Sequence, residues 1–171
     1  MIVILEGPDC GGKTTLCDAL VARCRPDRVH RFGVPEGDHF QVCWKLATEL
    51  SPYESAVIDR FHLSEVVYGP LMRGFSWIDP WQRWLLDMVL ASKGALLAYC
   101  QAPLDVLEMR QARKLMNGDK GPPAELLGAV LDGYEMSVWR PPLNVQTCES
   151  DTGEVPEKTA EELFRHACNL E

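Results

Sequence analysis

The chain has no C-x-x-C pair, no apolar run near the ~20 residues that a membrane span requires, no internal repeat and no low-complexity tract. Without the C-x-x-C pair, zinc loses its usual ligand spacing. The seven cysteines are odd in number and widely spaced, which suits reduced thiols in a cytoplasmic setting rather than a disulfide framework. Basic residues are few: 17 Lys and Arg stand against 25 Asp and Glu, for a net charge of −8. A protein that coats nucleic acid draws on clustered lysine and arginine, so that class is disfavoured, although a local basic site on an acidic body is not. The opening segment MIVILEG lacks a basic residue, is too short for a secretory signal and runs straight into glycines. What remains is an ordinary globular composition, 46% hydrophobic and 25% charged, and 171 residues suit one domain (1–171) with its own core.

Along the chain, apolar strand patterns alternate with helical ones. Strands are expected over 2–6, 28–33, 55–60, 95–101 and 143–148. Helices are expected over 13–24, 39–50, 62–72, 79–93, 103–116, 124–138 and 156–170, the last with Pro156 at its start. The Asn/Gly/Asp/Pro tract MNGDKGPP (116–123) breaks two of the helices apart. Such alternation implies βαβ units: a parallel sheet of about five strands with helices on both faces, an α/β architecture. Ligands in such folds sit beyond the carboxyl ends of the strands, so functional residues should follow strands directly.

They do. Gly7-Pro8-Asp9-Cys10-Gly11-Gly12-Lys13-Thr14 matches G-x-x-x-x-G-K-[ST] between a strand and a helix. The glycines let the backbone curl so that N–H groups converge on phosphate, and the helix from Lys13 adds the positive end of its dipole. Lys13 supplies a point charge for the β- and γ-phosphates, and Thr14 offers a hydroxyl to Mg²⁺. Residues 7–15, including Gly7, Asp9, Gly11, Gly12 and Thr15, are therefore the expected seat of ATP·Mg²⁺.

The third strand ends in Asp59 and Arg60 at the same sheet edge. A carboxylate there can order Mg²⁺ or accept a proton, and an arginine can clamp an acceptor phosphate.

With these residues in place, the chain resembles the thymidylate kinase-like nucleoside and nucleotide kinases over most of its length. EGPDCGGKTTL is similar to that family's phosphate loop, and VIDRFHLSEVVYG to its Asp-Arg-aromatic motif. APLDVLEMRQARKLMNGDKG is similar to its lid, LDGYEMSV to the tyrosine-bearing helix that follows, and CESDTGEVPEKTAEEL to the closing strand, loop and helix. The resemblance implies a three-layer P-loop kinase fold with a short lid near 110–123. It implies that Asp9 faces the acceptor sugar, that Asp59 assists proton removal or magnesium placement, and that Arg60 holds the acceptor phosphate. Ser64 and Tyr68 would line the acceptor pocket. Arg110 and Arg113, three apart on one helix face, would close over the transferring group, with Lys114 or Lys120 in support.

The sequence also departs from the family. Cys10 replaces a usual glycine, and the loop has no arginine, which by the family's logic implies that the catalytic cations are in the lid. Only 23 residues separate Pro35 from Asp59, leaving Phe40 and Trp44 as candidate base platforms. Gly69-Pro70 replaces a glutamine, and GDKG an Asp-Arg pair. The expected activity is transfer from ATP to a deoxynucleoside monophosphate. One rival keeps the chemistry but moves the acceptor to a deoxynucleoside or a modified pyrimidine of DNA; another is a non-catalytic nucleotide-binding regulator. Trp77, Trp81 and Trp84 suit the core or a homodimer face, and His62 a structural place at a helix start.

Overall fold

The computed structural model describes residues 1–118, 121–139, 142–150 and 156–168, without the side chains of 156 and 157. Among the described residues five strands are formed: β1 (Ile2–Glu6), β2 (Arg28–Arg31), β3 (Ala56–Asp59), β4 (Ala95–Gln101) and β5 (Asn144–Glu149). Seven helices are described: α1 (Lys13–Cys24), α2 (His39–Glu49), α3 (His62–Arg73), α4 (Pro80–Ser92), α5 (Leu104–Met116), α6 (Leu127–Val138) and α7 (Pro156–Ala167). Each expected element is present. The second strand stops at Arg31, two residues early. Expected helix positions 169 and 170 and the candidate Lys120 lie outside the described residues.

The sheet runs β2-β3-β1-β4-β5 with every neighbouring pair parallel. β1 is central because all five of its residues are apolar or inward-facing, and all are buried. Its side chains alternate between two cores, as the two-residue period of a strand demands. Ile2 and Ile4 join Ile58, Phe61, Leu86, Leu97 and Tyr134 beneath α2, α3, α4 and α6. Val3 and Leu5 join Leu16, Leu20, Val57, Leu96 and Leu163 beneath α1 and α7.

Helix ends follow local chemistry. Asp38 caps α2 by accepting from Gln41 N at 3.3 Å. Asp79 and Gln82 form a reciprocal capping box with Pro80 at the first position of α4. By contrast α1 has neither a side-chain cap nor an acid in its first turn. Its positive end faces the loop that precedes it.

Candidate active site

The loop between β1 and α1 is shaped by three left-handed positions. Gly7 has φ 143°, and a Cβ there would lie 2.0 Å from Cys100 O on β4. Gly12 has φ 87°. Cys10 has φ 64° although it carries a side chain. A glycine would meet no strain there, so the side chain of Cys10 is carried in that conformation at a cost of order 1–3 kcal/mol. The buried Lys13 folds into this loop, donating from Nζ to Gly7 O at 2.8 Å and Pro8 O at 2.5 Å. Burial, with Arg60 nearby, brings its pKa down to about 8.

Thr14 Oγ1 lies 3.5 Å from Asp59 Oδ2. Asp59 is buried, its carboxyl is pushed up by that burial, and its Oδ1 has no hydrogen-bond partner among the described residues. A buried, unpaired carboxylate oxygen beside a hydroxyl suits a hard, oxygen-seeking cation such as Mg²⁺.

Arg60 follows on the same strand end, also left-handed at φ 66° and fixed by its N–H to Leu5 O at 2.9 Å. Its guanidinium pairs with Asp9 and lies 5.8 Å above the Tyr68 ring, while Asp9 N donates to the Tyr68 hydroxyl at 2.8 Å. The loop, the third strand and α3 are thus locked together through three side chains.

Glu6, the last residue of β1, holds this arrangement from below. Its Oε1 accepts the backbone N–H groups of Phe61, Leu63 and Ser64 at 2.8, 3.0 and 3.1 Å. Its Oε2 accepts from Ser64 Oγ at 2.5 Å and from Tyr134 at 3.2 Å. A carboxylate at the N-terminus of α3 satisfies donors that no cap supplies and favours the helix dipole. Read in sequence, Glu6 is simply the last residue before the glycines; a charged residue closing an apolar central strand was the available signal.

From α5, Arg110 donates to Cys10 O at 3.0 Å, to Ser150 Oγ at 2.9 Å and to Ser150 O. Lys114 joins it in the cleft, whereas Arg113 is exposed on the outer side. The buried Gln111 between them accepts from Cys10 Sγ at 3.2 Å and donates to Pro122 O at 2.9 Å.

Two cavities open over these groups. One of about 450 Å³ covers residues 9–16, including Thr14 and Thr15, and reaches Arg110 and Ser150. The other, of about 560 Å³, is bounded by Phe32, His39, Ser64, Tyr68 and Met72. Asp9, Arg60 and Lys114 line both. Phe40 and Trp44 line neither; they stack on each other at 5.9 Å and pack against the core. Their neighbour His39 faces the second cavity, and residues one and five positions further along a helix point away from it. His62 is wholly buried, with Nε2 2.7 Å from Asp87 Oδ1, and faces neither cavity. The three tryptophans are 38%, 62% and 44% exposed, outside the core, with Trp81 and Trp84 stacked at 4.8 Å.

No family model and no curated protein sequence matches the chain. Solved structures do. The YorR protein from Bacillus subtilis, in complex with phosphorylated GDP, is 24% identical with a TM-score of 0.73 over 96% of this chain and 94% of that one. Deoxyadenosine kinase from M. mycoides with bound dCTP is 14% identical, with a TM-score of 0.57 over 99% of each chain. Shikimate kinase from Acinetobacter baumannii in complex with shikimate is 12% identical, with a TM-score of 0.58 over 98% of this chain and 92% of that one. The fold is that of the P-loop kinases. Deoxyadenosine kinase and shikimate kinase are named for unlike acceptors, so the P-loop kinase fold carries no acceptor with it, and the narrower thymidylate kinase-like resemblance goes unmatched by name among these neighbours.

Proposed function

We propose that the chain is a P-loop kinase that transfers the γ-phosphoryl group of ATP to a deoxynucleoside monophosphate, giving the diphosphate and ADP. The observation that carries this reading is the shared wall of the two cavities: one carboxylate, Asp9, and two cations, Arg60 and Lys114. A donor phosphate on the loop and an acceptor phosphate at Arg60 would meet there, and phosphoryl transfer needs mainly such positioning and charge neutralisation. The nucleotide in the YorR complex supports a nucleotide in this cleft as well.

In this reading Lys13 and Arg110 neutralise the donor phosphates, and Arg60 orients the acceptor phosphate for in-line attack. Asp9 faces the acceptor sugar, and Ser64 and Tyr68 line its pocket. Thr14 and Asp59 would hold Mg²⁺, which supplies charge neutralisation at the β- and γ-oxygens when bound. The protein acts as one domain on a small-molecule acceptor.

Phosphate transfer from γ-labelled ATP to a panel of deoxynucleoside monophosphates, nucleosides, and DNA carrying modified pyrimidines tests this. Labelled diphosphate is expected; label in nucleosides or DNA alone would reassign the acceptor, and nucleotide binding without transfer would remove the kinase activity. Arg60→Ala should cripple use of monophosphates while leaving ATP affinity nearly intact.

A further inference from the structure

The second cavity contains a polar pair that the transfer step itself does not use. Glu65 and Arg73, both on α3, line it. The Glu65 side chain is 1% exposed, and its Oε1 accepts from Arg73 Nη2 and from the Trp77 N–H at 2.7 Å. Its Oε2 is buried with no hydrogen-bond partner among the described residues, and the same holds for Arg73 Nε. A carboxylate oxygen can only accept and a guanidinium Nε can only donate, so two residues of the wall hold one unmet acceptor and one unmet donor, both buried among their side chains.

The position of this pair within the cavity gives it a use. Tyr68, beside Asp9 and Arg60, marks the end where the acceptor phosphate belongs in the reading above. Glu65, Tyr68 and Met72 lie three and four residues apart, hence on one face of α3. From there the Glu65 carboxylate reaches along the helix, away from Arg60, to Arg73 and Trp77. Phe32 and Met72 supply apolar wall in the same cavity. Phosphate at one end and base at the other is the layout of a nucleotide site.

We propose that Glu65, braced by Arg73, reads the acceptor base, and that this base carries an amino group (cytosine, adenine or guanine) rather than being thymine or uracil. The inference rests on the nucleotide kinase reading above and narrows it. A carboxylate accepts well from an amino group at the edge of a base, as it does from cytosine N4. In thymine and uracil the corresponding N–H is recessed between two carbonyl oxygens. A carboxylate approaching it would bring its negative oxygen against both, a repulsion that excludes as effectively as the amino contact attracts.

The test is kcat/KM for transfer from ATP to dCMP, dAMP, dGMP, dTMP and dUMP, with the wild-type chain and with Glu65→Gln. The glutamine side chain is close to isosteric and can still accept from Trp77, and circular dichroism together with ATP binding would check that the variant folds. The wild-type chain is expected to favour at least one amino-bearing nucleotide over dTMP and dUMP by ~10-fold or more. Glu65→Gln should shrink that ratio at least ~10-fold, because its amide can donate to a carbonyl. Equal or better use of dTMP or dUMP by the wild type, or an unchanged ratio in the variant, would overturn the base assignment while leaving the kinase intact. Transfer to none of the five would overturn the monophosphate acceptor of the reading above, and this inference with it.

Discussion

Thr14 stands in the first turn of α1 and Asp59 ends β3, and their side chains meet with Oγ1 3.5 Å from Oδ2. The parallel register that pairs Leu5 with Asp59 brings them to one edge. Neither residue forms a site alone; together they give a hydroxyl and a buried carboxylate with an unpaired oxygen.

Asp59→Asn keeps the shape and removes the charge. We expect it to weaken the Mg²⁺ dependence of ATP binding at least ~10-fold in titration calorimetry, and to lower kcat by ~10²-fold or more. Magnesium-free ATP binding should change little. An unaltered magnesium dependence would mean that Asp59 serves proton transfer instead.

Lys13 should lower the stability of the free protein. Its folded pKa of about 8 lies below the ordinary 10.5, so the unfolded chain binds more protons between those values and stability rises with pH across that window. Below pH 8 the buried charge opposes folding by about 3 kcal/mol, partly offset by its bonds to Gly7 and Pro8. Lys13→Met is therefore expected to stabilise the chain by about 1–3 kcal/mol at pH 7, several degrees in Tm, while abolishing transfer. The gain should fade as the pH is raised towards 10.5. Thermal melts across that range check the sign.

Local signals made much of this readable from sequence. The phosphate loop needs only its own residues to curl, and Asp59 ends and Arg60 follows an apolar strand that pairs with the apolar β1. What local pattern cannot supply is the rotation of a helix about its axis. Arg110 and Arg113 do share a face of α5, but the buried residues Leu107 and Gln111 turn the helix so that Arg110 and Lys114 flank the inward side. Arg113 then points roughly 160° away from Gln111. The same ambiguity separates His39 from Phe40 and Trp44 on α2. Glu6 was missed for a different reason: its partners lie on α3 and α6, more than fifty residues away.

That rotation is expected to separate the two arginines in function. Arg110→Ala removes a cation from the donor cavity and breaks the ties to Cys10 and Ser150, so kcat is expected to fall ~10²-fold or more. Arg113→Ala alters an exposed side chain and should leave stability within about 0.5 kcal/mol of wild type and kcat/KM within about 2-fold. Steady-state kinetics on both variants decide it; comparable losses would mean that Arg113 swings into the cleft during turnover.

Gln111 couples the segment around Pro122 to the loop between β1 and α1, and Gly121 is the residue that makes room for it. A Cβ on Gly121 would sit 2.2 Å from Gln111 Nε2, too close unless the amide moves. Moving it would break the bonds to Pro122 O and Cys10 Sγ and leave buried polar atoms unpaired. Gln111→Ala and Gly121→Ala should each destabilise the chain by about 1–3 kcal/mol. Combined, they should cost clearly less than the sum, because the Gln111→Ala change removes the atom with which the new methyl collides. Denaturant unfolding of the wild type, both single variants and the double variant gives that coupling directly. Simple additivity would show that the segment around Gly121 is placed by something other than Gln111.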